Sequence, residues 1–111
     1  MDADEYQRQV ARTAGEVLST EDGLLLSALG ICGESGEVAD LVKKHLFHSH
    51  PLSVLKLREE AGDVAWYLAR LCLAMDWSLG EVLAENIVKL RRRYPEGFNA
   101  EQSMNRGNDD A

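Results

Sequence analysis

The sequence of 111 residues is poor in proline, aromatic residues and cysteine. Prolines occur only at positions 51 and 95, so long helices can run uninterrupted between them. No apolar run approaches the ~20 residues that a membrane-spanning helix needs, and the first residues do not resemble a signal peptide. The net charge of -7 argues against a protein that binds nucleic acids or membrane surfaces. The negative charge does not argue against binding of a phosphate-bearing small molecule, because a bound metal ion can reverse the local charge.

The two cysteines, Cys32 and Cys72, both lie in apolar stretches of the chain. Such a pair is typical of free, buried thiols in a reducing compartment. We therefore expect a cytoplasmic protein without a disulfide bond.

What the sequence has in abundance is helix-forming residues, with little that favours strands. We predict an all-α, four-helix, bundle-like domain at residues 1–98, followed by a polar and flexible tail at 99–111. Thr20 or Asp22 is the expected cap of the second helix. The predicted helices cover approximately residues 4–18, 23–46, 52–75 and 79–93.

Four acidic residues form two short pairs on the predicted helices, Glu34 with Glu37 and Glu60 with Asp63. Each pair is spaced i,i+3, which places both carboxylates on one face of a helix. Two such helices packed antiparallel would bring four buried carboxylates to one point. Clustered anions repel each other and are costly to remove from water, and a hard divalent cation relieves both effects. The pattern therefore predicts a site for Mg²⁺, for which Mn²⁺ can substitute.

The residues around these pairs favour a metal site over a solvated helix surface. Apolar side chains flank both pairs, with Val38 and Leu41 beside the first and Val64 beside the second. Histidine is absent from the pairs, which makes zinc or non-haem iron a less natural occupant. Two further acids, Asp40 and Glu59, could bind a second ion or orient an attacking water.

Three glycines, Gly30, Gly33 and Gly36, recur at every third position of the second predicted helix. Each glycine in a helix costs ~1 kcal/mol relative to alanine, so something must compensate. We predict that another backbone or a ligand approaches closely along this stripe. We favour this over a phosphate-binding loop, because the glycine spacing of such a loop is absent and no strand precedes the stripe.

A polar and cationic stripe occupies the fourth predicted helix. Asn86, Lys89 and Arg93 fall at i, i+3 and i+7, so they share one face. This arrangement suits a polyphosphate near a metal site, although cations are favoured at any helix C-terminus. Tyr67 lies one turn beyond the second acidic pair and is expected to face the same site, whereas Trp66 is expected to pack in the core.

Taken in order, three groups of residues match one known pattern: Gly33-Glu34-Ser35-Gly36-Glu37-Val38 with Lys44, then Glu59-Glu60-Ala61-Gly62-Asp63-Val64-Ala65-Trp66-Tyr67, then Asn86 with Lys89-Leu90 and Arg93-Tyr94-Pro95. The chain thereby resembles the MazG-like family, part of the all-α nucleoside triphosphate pyrophosphohydrolase superfamily. The resemblance covers about residues 6–98. Larger members of the family carry two such domains and this chain has one, so their partner proteins are not carried over.

The resemblance implies a four-helix fold that assembles as a homodimer or a homotetramer. It also implies Mg²⁺-dependent cleavage of a nucleoside triphosphate between its α- and β-phosphates, giving monophosphate and pyrophosphate. Glu37 is the predicted residue that activates the water, with Glu34 and Glu59 as further catalytic candidates. Carried over by position, the metal ligands are Glu34, Glu37, Glu60 and Asp63, and the substrate-binding residues are Lys44, Tyr67, Asn86, Lys89 and Arg93.

Several alternatives remain open at the level of sequence. Within the same superfamily, the chain could be a phosphoribosyl-ATP pyrophosphohydrolase or a dimeric dUTPase. Outside enzymes, it could be a non-catalytic helical module that binds a nucleotide or a partner and uses the carboxylates as a structural metal clip. A regulatory sensor that binds a nucleotide without hydrolysing it is a third possibility. The sequence does not identify the preferred base or sugar.

Overall fold

A computed structural model describes residues 1–15 and 17–105 of the chain. Helices dominate the described residues, which contain no strand and a single isolated bridge between Pro95 and Gly97. The prediction of an all-α protein is therefore confirmed. Within these described ranges there are five helices, in the order α1 (Ala3–Ala14), α2 (Thr20–Phe47), α3 (Val54–Met75), α4 (Leu79–Arg93) and α5 (Ala100–Met104).

Helix α1 is shorter than its apolar pattern indicated. The Asp2 side chain caps its first turn by accepting a hydrogen bond from the Glu5 amide at 2.8 Å. Gly15 ends the helix in the left-handed region, with φ of 71°, a conformation that glycine adopts without a steric penalty. The predicted continuation to Leu18 was wrong because Gly15 turns the chain away before the pattern of apolar residues ends.

Serine side chains begin the two long helices. The Ser19 hydroxyl accepts a hydrogen bond from the Asp22 amide, and Ser53 does the same for Lys56. Ser19 therefore takes the capping role that we expected of Thr20 or Asp22, and α2 begins three residues earlier than predicted. Helix α3 ends at Met75, and the Asp76 that follows it is left-handed with φ of 56°. The Trp77 amide closes that end by donating to the Cys72 carbonyl at 2.8 Å.

The residues Met1–Leu79 form one compact unit, in which α3 is the central element. Helices α2 and α3 pack antiparallel, since Gly23 lies against Ala74 and, further along α2, Gly30 lies against Tyr67. At Gly23 an added Cβ would meet the Ala74 Cβ at 3.0 Å. Part of the predicted close approach thus occurs within the chain, and it brings the middle of α2 against the middle of α3.

Helix α1 packs against α3 and is tied to the turn that follows α3. The Gln7 side-chain amide donates to the Trp77 carbonyl and accepts from the Leu79 amide, both at 2.7 Å. The Ser78 hydroxyl donates to Asp4 at 2.9 Å. The buried apolar residues of the described chain are Val10 of α1, Ala69 and Cys72 of α3, and Leu79 at the start of α4.

The residues Gly80–Ala111 form a second unit, which contains the rest of α4 and the short helix α5. Helix α4 has the predicted bounds. Beyond it, the rings of Tyr94 and Phe98 lie 5.3 Å apart, and the Asn99 side chain caps α5 by accepting from the Gln102 amide. The sequence pattern did not predict α5. The last residues of the predicted flexible tail, 106–111, lie outside the described residues.

Both cysteines are free thiols, but only Cys72 is buried. The expectation that Cys32 is buried was wrong, because its position on α2 faces outward. Burial raises the pKa of the Cys72 thiol. Across the described ranges, none of the helices combines the length and the apolar character that crossing a lipid bilayer requires.

Candidate metal centre

Three carboxylates from two helices converge at the centre of the α2–α3 pair. Glu34 of α2 and Glu60 and Asp63 of α3 each offer an oxygen atom, and these atoms lie within 4.8 Å of one another. The antiparallel packing produces this group because Glu34 follows Gly30 by one turn, and Asp63 precedes Tyr67 by one turn. We call Glu34, Glu60 and Asp63 the acidic triad.

The other two carboxylates of the acidic triad act on Glu34. A hydrogen bond with Glu60 is the largest cause that raises the pKa of Glu34 above its ordinary value of 4.5. Burial and the charges of Glu60, Asp63 and Glu37 raise this pKa further. A proton on Glu34 therefore allows a hydrogen bond to Glu60, and a cation placed among the same oxygens would take the place of that proton.

One feature of the prediction needs correction: the four carboxylates were expected to be buried, but Glu34 and Glu60 are only half-buried and Asp63 is exposed. Glu37 is not among the three residues whose oxygens meet, and its role as a ligand stays a prediction. It lies one turn along α2 from Glu34, is exposed, and acts on Glu34 through its charge. The other catalytic candidate, Glu59, is also exposed.

Tyr6 of α1 is a neighbour of the triad that the sequence analysis assigned only to an apolar stripe. Burial raises the pKa of its phenol, and the charge of Asp63 raises this pKa as well. Helix α1 thus brings a hydroxyl group within electrostatic reach of the acidic triad. Its spacing in α1 is that of an ordinary packing residue, so no signal in the sequence connects Tyr6 with Asp63.

Lys44 already has an anionic partner within its own helix. Its ammonium group lies 2.8 Å from an Asp40 carboxylate oxygen, and that of Lys43 lies 3.2 Å from the other. Hydrogen bonds from Lys44 and Lys43 lower the pKa of Asp40, and the bond to Asp40 raises the pKa of Lys44. Asp40, which the sequence offered as a ligand for a second ion, thus forms ion pairs with Lys43 and Lys44 at the surface.

Tyr67 lies beside the acidic triad with its ring against the Gly30 backbone. A Cβ at Gly30 would lie only 2.2 to 2.5 Å from three of its ring atoms. The ring also contacts that of Trp66 edge to face, with centroids 5.1 Å apart and planes at 87°. Trp66 is half-buried and packs against α1, where its indole N–H donates to the Thr13 hydroxyl at 3.0 Å.

Asn86, Lys89 and Arg93 all lie on α4, in the second unit, at the helical spacing that the sequence predicted. Asn86 is exposed, while Lys89 and Arg93 are half-buried. Their contribution to the site stays a prediction.

The chemistry of the donor atoms fits a hard divalent cation. The acidic triad supplies only carboxylate oxygens, which are the ligands that Mg²⁺ and Mn²⁺ prefer. Mg²⁺ typically keeps several waters and is held by a few carboxylates together with substrate phosphates. Two half-buried carboxylates and an exposed one leave room for both waters and phosphates.

The comparison with known proteins agrees with this arrangement. The family model described as "MazG nucleotide pyrophosphohydrolase domain" matches residues 23–98, which contain the acidic triad and α4. The chain is also 36% identical over 106 residues to the "Gene 37 protein" of Mycobacterium phage L5. That alignment covers 87% of this chain and 92% of the phage protein. No solved structure matches the chain significantly.

The chain therefore belongs to the MazG nucleotide pyrophosphohydrolase domain family. Membership of this family indicates a hydrolase that acts on nucleotides. Members usually depend on a divalent metal, and the acidic cluster that such a metal needs is present here.

Proposed function

We propose that this protein hydrolyses a nucleoside or deoxynucleoside triphosphate between the α- and β-phosphates. The products are a nucleoside monophosphate and pyrophosphate, and the role is housekeeping of the nucleotide pool in the cytoplasm. The reaction depends on Mg²⁺, for which Mn²⁺ can substitute. The observation that carries this proposal is the convergence of Glu34, Glu60 and Asp63 within the residues matched by the MazG family.

The acidic triad would hold the metal, with Glu37 as a further ligand or as a base one turn away. A divalent ion in this position would neutralise the triphosphate and lower the pKa of a bound water. Glu37 is exposed and outside the triad, which leaves its carboxylate available to accept a proton from the attacking water. Glu34 and Glu59 are the other candidates for that step.

The water oxygen forms a new bond to phosphorus as the bond between the α–β bridging oxygen and the attacked phosphorus breaks. The proton of the water passes to the carboxylate base, and the negative charge moves onto the leaving pyrophosphate. Lys44, Asn86, Lys89 and Arg93 would hold the phosphates and stabilise that charge. Tyr67 would contact the nucleoside part of the substrate.

The protein is proposed to act as a homodimer or a homotetramer. The first unit leaves large apolar side chains of α2 in contact with water, among them Leu29 at 65% and Phe47 at 80% exposure. Apolar surface of this kind is typical of an interface between subunits. Light scattering of the purified protein in solution measures the oligomer directly.

Hydrolysis of a panel of canonical and damaged ribo- and deoxyribonucleoside triphosphates tests the proposed reaction. We expect release of pyrophosphate and a monophosphate from at least one nucleotide in the presence of Mg²⁺, and no release with EDTA. Product analysis by anion-exchange chromatography distinguishes pyrophosphate from orthophosphate. Orthophosphate and a diphosphate as products would contradict the proposed bond. Tight binding of a nucleotide without any product would instead support a sensor.

The raised pKa of Glu34 predicts that the folded state loses stability as the pH rises, and that Mg²⁺ prevents this loss. Because folding raises this pKa, protonated Glu34 stabilises the folded state at low pH. That contribution is lost as the pH rises from about 4.5 through the raised pKa. Mg²⁺ should cancel the loss, since it replaces the proton. We expect the melting temperature of the wild type, measured relative to Glu34→Gln, to fall between about pH 4 and pH 7 with EDTA but not with Mg²⁺.

The Glu34→Gln variant is the reference because it keeps the shape of the side chain without a titrating group. Other carboxylates, such as Asp40 with its lowered pKa, change stability with pH equally in both proteins. A relative melting temperature that stays constant with EDTA would contradict the stabilising role of the Glu34 proton.

A further inference from the structure

Tyr67 is held beside the acidic triad by a contact that only glycine permits. At Gly30 a Cβ atom would lie 2.2 Å from Cδ1, 2.3 Å from Cε1 and 2.5 Å from Cγ of the Tyr67 ring. These distances are far below normal van der Waals contact, and Cγ is the attachment point of the ring rather than its flexible end. The ring of Tyr67 therefore occupies the space that any other residue at position 30 would fill.

A second contact fixes the ring from the side. Trp66 meets Tyr67 edge to face, and the guanidinium group of Arg70 lies 5.1 Å from the centroid of the Trp66 ring. Trp66 is itself anchored to α1 by its hydrogen bond to Thr13. The position of Tyr67 is thus set by the Gly30 backbone on one side and by an anchored tryptophan on another.

The contact lies one turn from the acidic triad on both helices. Gly30 precedes Glu34 by four residues, and Tyr67 follows Asp63 by four, a rise of ~6 Å along each helix. A triphosphate that is held at the triad through its metal and runs toward Gly30 would place its next chemical group at this level. A terminal phosphate would call for a cation there, whereas an aromatic ring with a phenol suits a sugar or a base.

We propose that Gly30 is a positioning residue for the nucleoside part of the substrate. By leaving room for the Tyr67 ring against α2, it sets the depth of the subsite that receives the sugar and base. This inference rests on the proposed function, because Tyr67 contacts a nucleoside only if the acidic triad binds a nucleotide. Gly30 itself does not touch the substrate.

The test compares Gly30→Ala with Gly33→Ala, a matched change one turn further along α2 where an added Cβ meets nothing within 4 Å. With the best nucleotide of the panel, Gly30→Ala should raise KM about tenfold, the low end of what aromatic stacking contributes to base binding. The kcat should stay within about threefold, since no carboxylate is changed. Gly33→Ala should keep KM within about twofold. An equal change of KM in both variants would overturn the proposal.

A double variant separates a positioning role from a general loss of stability. Tyr67→Leu should raise KM on its own, and adding Gly30→Ala should raise it no further, because the displaced ring is already absent. A further tenfold rise in the double variant would show that Gly30 acts independently of Tyr67, contrary to the proposal.

If no nucleotide is hydrolysed, the proposed function fails, but two other measurements still test the role of Gly30. With a labelled tyrosine, the NMR signals of the Tyr67 ring should move in Gly30→Ala and stay in place in Gly33→Ala. Calorimetry with a non-hydrolysable triphosphate analogue and Mg²⁺ should show weaker binding only in Gly30→Ala. An unmoved ring, equal binding by both variants, or no nucleotide binding at all would each overturn the inference.

Discussion

The Asp63→Asn variant is expected to lose Mg²⁺ binding and nearly all pyrophosphate release. Asp63 is the most exposed member of the acidic triad, so an amide fits in its place without a burial penalty. The amide keeps the shape of the side chain but removes one of three charges that face the ion. Mutation of a residue that only hydrogen-bonds to a metal ligand typically lowers metal affinity by about 10- to 100-fold. Mutation of a direct ligand should therefore lower the Mg²⁺ affinity by at least about 100-fold. Turnover should fall by about 10³-fold, because several kcal/mol of charge stabilisation disappear with the ion.

Titration calorimetry measures the affinity for Mg²⁺, and pyrophosphate release at saturating nucleotide measures turnover. Glu21→Gln is a suitable control because it removes the same charge from the exposed first turn of α2, far along the helix from Glu34. Its Mg²⁺ affinity and turnover should match the wild type. Wild-type affinity for Mg²⁺ in Asp63→Asn would exclude the acidic triad as the metal centre.

The Glu37→Gln variant is expected to abolish turnover while leaving the metal in place. Glu37 lies outside the group of converging oxygens, so its loss should change Mg²⁺ affinity by less than about tenfold. If its carboxylate accepts the proton of the attacking water, kcat should fall by about 10²- to 10⁴-fold. Helix α2 should stay folded, since Glu37 is exposed and glutamine forms helices as readily as glutamate.

The combination of metal affinity and kcat distinguishes a base from a ligand. A loss of Mg²⁺ binding in Glu37→Gln as large as in Asp63→Asn would make Glu37 a fourth ligand, and Glu34 or Glu59 would then be the base. Normal turnover with unchanged melting would refute any essential role of Glu37.

Local spacing identified the two acidic pairs as candidates. It did not predict which of their carboxylates meet at the site. An i,i+3 spacing places two carboxylates on one face of any helix, so it identified Glu34, Glu37, Glu60 and Asp63 as candidates. It does not say how far along α3 the helix α2 has slid. That register brings Glu34 to the level of Glu60 and Asp63 and leaves Glu37 one turn away.

The periodicity of the sequence did not predict which side chains contact each other. The sequence marked Gly30 as part of a glycine stripe but did not connect it with Tyr67, which is thirty-seven positions away. Similarly, Lys44 was expected to meet phosphates, but without a substrate its nearest partner is Asp40 in the preceding turn. Side-chain rotamers decide such pairings, and rotamers depend on neighbours that a single sequence does not place.

The sequence by itself determined that this chain is helical, where four of its helices lie, and which of their faces carry acidic or cationic groups. These properties follow from propensity and from the 3.6-residue period, which act within one or two turns. Only the tertiary structure decided that three carboxylates meet rather than four, that Tyr6 reaches the charge of Asp63, and that Gly30 makes room for Tyr67. The reason is that packing between helices sets their register through the close fit of side chains from all parts of the chain.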